Sequence, residues 1–281
     1  MKALRCCKLS FLQARRNPKF LLCLLFLILQ MWQIFHGFPA YARALGWPHI
    51  SPWTLPLLPG VRDRYPVVML AFLMLVSDLP LRTAQQKMVL QRIGKQSWIR
   101  GQLLYLLGLC LAFTLVLWIL SWIFFVSMAD WTPRWGKVLT TVSRHTMPIP
   151  EPIEVSPDIL RNTDGLQATL WTAGMQVMVC FFLGCLVLLC NLWTRHGVGV
   201  LAAAGLVLLS FFIRVWANDF YGHQVWLLWL SPVSWVDRSV MGHVNQNLPS
   251  FTYGTVTLIF LCLAGAGLAV GTIHRCSVET E

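Results

Sequence analysis

The sequence predicts an all-α, polytopic membrane protein with about six transmembrane helices. Of its 281 residues, 57% are hydrophobic and only 12% are charged, which is about half the charged fraction of a typical soluble domain. The apolar residues are gathered into six runs, and a helix that crosses a bilayer needs about 20 mainly apolar residues. The stretches between the runs are too short to bury a core of their own. We therefore expect residues 1–281 to form a single membrane domain.

The first 19 residues combine leucines with Lys and Arg, which predicts an amphipathic cytoplasmic helix over 1–19. This basic leader, the apolar run after it and the pattern Ala40-Tyr41-Ala42 also resemble a secretory signal peptide. The apolar run is longer than the roughly 7 to 15 residues usual in such peptides, and Gln30, Gln33 and His36 lie in its second half. These features favour a retained first span.

The six predicted spans differ in how clearly their ends are marked. The third contains no charged residue, whereas the second is short and ends in a segment that includes Asp78 and Pro80. Proline and an acid both oppose continuation of an apolar helix. The predicted bounds are 20–38, 65–81, 103–127, 168–193, 197–213 and 251–273.

The distribution of charge predicts a plasma-membrane protein with both termini in the cytoplasm. The side that carries the termini has 13 Lys and Arg residues, whereas the other side has nine, spread over about twice the length, and basic residues in short loops favour the cytoplasmic side. The net charge of +11 therefore flanks apolar runs and does not form a soluble basic domain. This pattern favours membrane lipids as partners and argues against nucleic acid.

Three connections are longer than a turn. The segment 129–167 is rich in proline around residues 147–152 and predicts a partly extended exterior loop. The exterior segment 217–250 contains an apolar stretch, 225–236, which is broken at Ser231-Pro232 and is too short to span, so we expect a re-entrant hairpin. The segment 82–102 has good helix formers and mixes apolar with basic residues, which predicts a cytoplasmic helix along the membrane.

The chain shows no recognisable catalytic or metal-binding pattern. It lacks HExxH, GxSxG and P-loop motifs, and its nine cysteines include no CxxC pair. We expect no catalytic residue, no metal and no cofactor, and nothing in the pattern demands a disulfide. A membrane enzyme remains an alternative, and it would have to use scattered loop residues such as His145, Asp158, His223 and Asp237.

The layout and three short segments resemble a known family. The segments are Leu75-Val76-Ser77-Asp78-Leu79-Pro80-Leu81, then Leu90-Gln91-Arg92-Ile93-Gly94-Lys95-Gln96-Ser97-Trp98, then Gly101-Gln102-Leu103-Leu104-Tyr105. In this order they are similar to an acidic end of the second span, a basic helix, and a third span that opens near a glycine and a tyrosine. The chain thus resembles the permease subunit of a bacterial type-2 ATP-binding-cassette exporter.

The resemblance implies a division of labour. In such exporters the helix after the second span docks on a separate ATPase subunit, which holds the ATP and Mg²⁺. Two permease copies, identical or paralogous, line a path along the first, second and fifth spans for an amphipathic or hydrophobic substrate such as a peptide, an antibiotic or a lipid-like molecule. In this chain the leader would be a second contact with the ATPase, and Asp78 and Pro80 would end the second span. A hairpin that caps the path would contain Leu230, Ser231, Pro232 and Trp235. The coupling residues would be Arg82, Gln86, Lys87, Arg92, Gly94, Lys95 and Trp98.

A membrane protein that does not transport, such as an immunity protein, an assembly factor or a sensor subunit, is the main alternative. The small residues in the last span, Gly267 and Gly271, are spaced for close helix contact. A second small-residue face is formed by residues 202–205 of the fifth span. Both faces fit either packing within the chain or a dimer interface.

Overall fold

The computed structural model describes residues 2–14, 17–47, 49–61, 63–81, 93–143, 159–160, 163–194, 197–219, 225–242 and 248–273. In these ranges the regular elements are helical, apart from an isolated bridge between Ile50 and Ala129. The α-helices are α1 (Lys2–Ala14), α2 (Lys19–Phe35), α3 (Phe38–Ala44), α4 (Tyr65–Val76), α5 (Lys95–Trp122), α6 (Gly136–Ser143), α7 (Gly165–Trp193), α8 (Val198–Asp219) and α9 (Phe251–Thr272). Short 3-10 turns lie at Leu55–Gly60, Ile123–Met128, Val225–Leu230, Ser234–Val236 and Arg238–Val240.

Within the described ranges, five helical segments are long and apolar enough to cross a membrane, which makes this a multi-pass membrane protein. They are Lys19–Ala44, Lys95–Met128, Gly165–Trp193, Val198–Ala217 and Phe251–Thr272. The sequence predicts a sixth span over 65–81, but α4 has only 12 residues. A helix of that length rises about 18 Å, whereas the hydrocarbon core is about 30 Å thick. The helix ends at Val76 because Ser77, Asp78 and Pro80 follow it.

α7 lies at the centre of the bundle and contacts α4, α5, α8 and α9. α4 packs against α2 and α8 as well as α7, and α1 packs along α5. Glycine allows close approach in this core, because a Cβ at Gly184 of α7 would lie 2.3 Å from Leu106 of α5. Gly267 and Gly271 of α9 have no such neighbour within 4 Å among the described residues, so no described residue packs closely on their face.

A proline-rich loop before α4 is buried, although the sequence gives it no helical pattern. Leu55, Leu57 and Leu58 are almost fully covered, and the turn that carries them contacts α7. The Ile50 amide donates to the Met128 carbonyl at 2.8 Å, and the Trp53 indole N–H donates to the Thr132 carbonyl at 2.7 Å. These bonds satisfy polar groups that would be costly to bury unpaired. The loop therefore adds apolar core next to the short α4.

The segment 129–167 contains a helix that the sequence analysis does not predict. α6 occupies Gly136–Ser143, and its Val138, Leu139 and Val142 are buried. The Trp135 indole N–H donates to the Thr163 carbonyl at 2.6 Å, which ties the start of α6 to the start of α7. Residues 144–158, where the proline-rich extended stretch is predicted, lie outside the described residues.

The sequence predicts a cytoplasmic helix over 82–102 and a third span that begins at residue 103. In the described residues these two elements form one continuous helix. α5 begins at Lys95 and continues without a break to Trp122. Gly94 precedes it with φ +84°, a conformation that L side chains rarely adopt, and so marks the turn into the helix. Residues 82–92 lie outside the described residues. Residues 95–102 thus belong to the same rigid helix as the third span.

Candidate functional site at the two ends of the bundle

The leader end is the end of the bundle at which α1 and α4 finish and α2 and α5 begin. Here the Asp78 carboxylate accepts from the Lys19 ammonium at 2.6 Å and from the Asn17 amide at 3.1 Å. Lys19 also donates to the Ser77 hydroxyl at 3.2 Å. The side chains of Lys19 and Asp78 are 37% and 40% exposed, so solvent weakens their attraction to about 0–1 kcal/mol. The pair mainly fixes the end of α4 against the start of α2.

Two buried amide side chains attach the end of α4 to four other helices. Asn191 of α7, which is fully buried, donates to the Leu79 carbonyl at 2.7 Å and accepts from the Gly199 amide of α8 at 3.1 Å. Gln102 of α5 accepts from the Leu81 amide and donates to the Ser10 hydroxyl of α1, both at 3.3 Å. The segment Leu79–Leu81 cannot move without disturbing these bonds. The Leu79–Pro80 peptide bond within it is cis.

The leader helix packs tightly on α5 through small residues. A Cβ on Gly101 would lie 2.7 Å from the Cβ of Cys6, and one on Gly108 would lie 2.7 Å from the ring of Phe11. Glycines seven residues apart lie about two turns apart on one face of a helix and leave a groove along it. Phe11 also packs edge to face on Tyr105, with ring centroids 4.8 Å apart. α1 is therefore part of the packed bundle and not a detached leader.

The predicted coupling residues are only partly described. Arg82, Gln86, Lys87 and Arg92 lie outside the described residues. Gly94 is exposed and Lys95 is half-buried at the start of α5, where a partner can reach them. Trp98 is only 2% exposed, and its carbonyl lies 4.0 Å from the Cys6 sulfur. Trp98 is therefore a packing residue of the α1–α5 contact in this structure and does not present its ring to a docked partner.

The two cysteines of α1 give a direct check of this packing. Burial raises the pKa of the Cys6 thiol, and the adjacent Cys7 thiol raises it further; burial also raises the pKa of Cys7. Because the thiolate is the nucleophile, each raised pKa slows reaction with a maleimide in the folded chain, and a rise in pH speeds it. In chains that keep only Cys6 or only Cys7, with the other eight cysteines replaced by alanine, we expect Cys7 to react at least about tenfold faster than Cys6, whose side chain is buried and must be uncovered first.

Mass spectrometry of single-cysteine chains at pH 7 and pH 9 measures both rates, and unfolding in detergent should make them similar. Equal rates for Cys6 and Cys7 in the folded chain would mean that α1 does not rest on Gly101.

The hairpin end is the opposite end of the bundle, closed by the 3-10 turns from Val225 to Val240. The chain reverses at Ser231-Pro232, where the Ser231 and Ser234 hydroxyls lie 2.6 Å apart. Trp235 is buried, its indole N–H donates to the Leu228 carbonyl at 2.8 Å, and its ring packs edge to face on Tyr253. Leu230 points outward and is exposed. The apolar stretch is thus a compact broken segment that packs against α7 and α8.

An ion pair missing from the sequence analysis ties this segment to α8. The Arg214 guanidinium bonds the Asp237 carboxylate and also donates to the Pro59 carbonyl at 2.7 Å. The second Asp237 oxygen accepts from the Ser239 amide at 2.8 Å and the Ser239 hydroxyl at 2.7 Å. The side chains of Arg214 and Asp237 are 10% and 1% exposed. Buried charges are stable only when paired and hydrogen-bonded, and both conditions hold here.

The α4–α8 contact leaves little free space among the described residues. A cleft between these helices, lined by Tyr65, Val207, Arg214 and Ser234 among others, has a volume of only about 10 Å³, which is room for one water at most. Tyr65 donates to the buried Gln176 side chain at 2.6 Å and closes the wall toward α7. Among the described residues, α4 and α8 are therefore closely packed at this contact.

Of the four loop residues that a membrane enzyme would use, the structure describes only Asp237. Asp237 is engaged with Arg214, while His145, Asp158 and His223 lie outside the described residues. In the part of the chain that the structure describes, no three His, Cys, Asp or Glu residues lie close enough together to hold a metal ion. An open cleft of about 570 Å³ beside α6 is lined by Arg134, Lys137, Asp164 and neutral residues.

Both ends of the bundle are defined by contacts between this chain's own residues. The chain matches no protein-family model, no curated protein and no solved structure.

Proposed function

We propose that this chain is the membrane-spanning permease subunit of an ATP-binding-cassette exporter. A separate ATPase subunit would dock on the segment 82–94, and a second permease copy, identical or paralogous, would complete the path for an amphipathic or hydrophobic substrate. The observation that carries the proposal is the way in which the end of α4 is held at the leader end. Asp78, Leu79 and Leu81 are bonded to side chains from the α1–α2 turn, α2, α5 and α7.

This arrangement supports a lever. The segment 82–92 leaves from Leu81, whose amide is held by Gln102, and returns through Gly94 directly into the 28-residue helix α5. A force on the segment would therefore act on α4 and on α5 at once. A permease needs only two packings of similar free energy, which a partner biases by binding one of them more tightly. It needs no reactive side chain of its own.

The proposed path follows α2, α4 and α8. α4 contacts both neighbours, and α2 and α8 expose apolar side chains such as Leu21, Leu29, Leu201 and Phe212. In the proposal the leader end faces the cytoplasm, because most Lys and Arg flank it. In the proposal, the tight α4–α8 contact at the hairpin end corresponds to a conformation closed to the exterior, in which Arg214 and Asp237 hold the capping segment on α8.

The test is dependence on an ATPase. The tagged chain, purified from its own host, is expected to bring down an ATP-binding-cassette ATPase, and proteoliposomes of the complex should transport substrate only with hydrolysable ATP. Replacing Arg82, Lys87 and Arg92 together by Glu should reduce the recovered ATPase at least about tenfold, because reversed charges at an interface repel their former partners.

The matched control replaces three cations at or beyond the hairpin end, Arg43, Arg134 and Lys137, by Glu. It should leave ATPase recovery unchanged. Purification without any ATPase, or normal recovery and transport in the Arg82, Lys87 and Arg92 variant, would overturn the proposal and favour a membrane protein that does not transport.

A further inference from the structure

The helix α1 has one face on α5 and one face that no other described residue covers. The covered face consists of small side chains, with Cys6, Ser10 and Ala14 buried. On the outward face Leu4, Leu9 and Leu12 are 64%, 49% and 53% exposed. Lys2, Arg5 and Lys8 are exposed between these leucines. The outward surface of α1, defined by these three leucines and three cations, is thus both apolar and positively charged.

The position of α1 along α5 places this surface at the edge of the bilayer. The apolar run of α5 begins at Leu103, and Phe11 rests on Gly108, five residues farther along. Five residues of helix correspond to about 7.5 Å. Interfacial helices bury their apolar face roughly 5–10 Å into the boundary between headgroups and acyl chains. The turns of α5 beside the contact also expose Leu104, Leu107 and Leu111, so lipid-facing surface adjoins α1.

The charge of the surface selects among lipids. α1 itself contains no acidic residue. In the described part of the chain, the acidic residue near the end of α1 is Asp78, and it is paired with Lys19. The three cations of α1 therefore have no counter-charge in that part of the bundle. Each Lys or Arg near an anionic leaflet gains about 1 kcal/mol, or roughly fivefold in affinity. Long cationic side chains also reach past buried leucines to the headgroups.

We propose that the outward surface of α1 binds anionic phospholipid, with the three leucines in the acyl region and the three cations on headgroup phosphates. This occupant replaces the ATPase contact that the family resemblance implies for the leader, since the side of α1 not used by α5 has the composition of a membrane-binding helix. The inference does not depend on the proposed transport function. It concerns only how α1 is held, and no ATP enters the test.

The test measures hydrogen exchange of the full chain in lipid nanodiscs. Discs of phosphatidylcholine alone are compared with discs containing 30% phosphatidylglycerol, and exchange of the α1 amides is read by mass spectrometry. We expect α1 to exchange at least about fivefold more slowly in the anionic discs at low salt, and to lose most of this difference in 0.5 M NaCl, where the Debye length falls to a few Å.

Replacing Lys2, Arg5 and Lys8 by Gln should abolish the difference between the two kinds of disc. These side chains are exposed, so the rest of the chain should keep its exchange pattern, which the same experiment reports. The matched variant, with Arg43, Arg134 and Lys137 changed to Gln, should keep the full response of α1 to the anionic lipid.

Equal exchange of α1 in both kinds of disc, or an unchanged lipid response in the Lys2, Arg5 and Lys8 variant, would overturn the proposal. If α1 were protected from exchange in phosphatidylcholine discs only when a co-purified ATPase is present, this outcome would also overturn the proposal. The surface would then be a contact site for the protein partner.

Discussion

Replacing Asp237 by Asn is expected to lower the free energy of unfolding by about 3–5 kcal/mol, the usual cost of removing one partner from a buried ion pair. The Arg214 guanidinium would stay buried between the Pro59 carbonyl and a neutral amide, without a counter-charge. Replacing Arg214 by Met should cost a similar amount, because the Asp237 carboxylate is 1% exposed and would be left unpaired. The double substitution should cost clearly less than the sum, since it leaves no unpaired charge.

Unfolding in a mixed-detergent titration, followed by circular dichroism, measures this double-mutant cycle. The matched cycle uses Lys19→Met and Asp78→Asn, because that pair is 37% and 40% exposed and should contribute about 0–1 kcal/mol. The coupling energy is therefore expected to be large at the hairpin end and small at the leader end. Similar small values at both pairs would show that Arg214 and Asp237 are not held together in the folded chain.

Long apolar runs made most of the spans predictable. The fourth span is predicted at 168–193 and found at Gly165–Trp193, and the last is predicted at 251–273 and found at Phe251–Thr272. The sequence places the end of the second span at residue 81, whereas α4 ends at Val76. The last apolar residues of the predicted span follow Asp78, where the backbone has already left the helix. The loop around Leu55–Gly60 packs beside α4, and its prolines hide any periodic pattern although most of its side chains are apolar.

The site was less predictable because its contacts are between distant residues. Asp78 was singled out from the sequence, but its partner Lys19 is 59 residues away, and Asn191 reaches Leu79 over 112 residues. A single polar residue in an apolar run, such as Asn191, is the kind of signal that the sequence offers, whereas Gln102 lies just outside the predicted third span. Trp98 fits a docking face by composition, yet it is buried because α1 packs on α5 beside Gly101. A single sequence does not reveal which helix covers which face.

The junction of α7 and α8 provides a second large effect with an internal control. A Cβ on Gly199 would lie 2.4 Å from the Val187 carbonyl oxygen and 2.9 Å from the Val187 Cα. Both obstructing atoms belong to the backbone of a central helix and cannot rotate away. Overpacking of this kind costs about 1–3 kcal/mol and sometimes more. A shift of α8 would also weaken the bond from the Gly199 amide to Asn191.

We therefore expect Gly199→Ala to destabilise the chain by at least about 2 kcal/mol, whereas Gly205→Ala on the same helix should be neutral or stabilising by up to about 1 kcal/mol. Among the described residues, no neighbouring atom lies within 4 Å of the position that an alanine Cβ would take at Gly205. Alanine there therefore adds helix propensity without a clash. The same detergent titration compares the two variants directly. If Gly199→Ala unfolded no earlier than Gly205→Ala, α7 and α8 could not be as close as Val187 and Gly199 are placed, and the link from Asn191 to the end of α4 would lose its geometric basis.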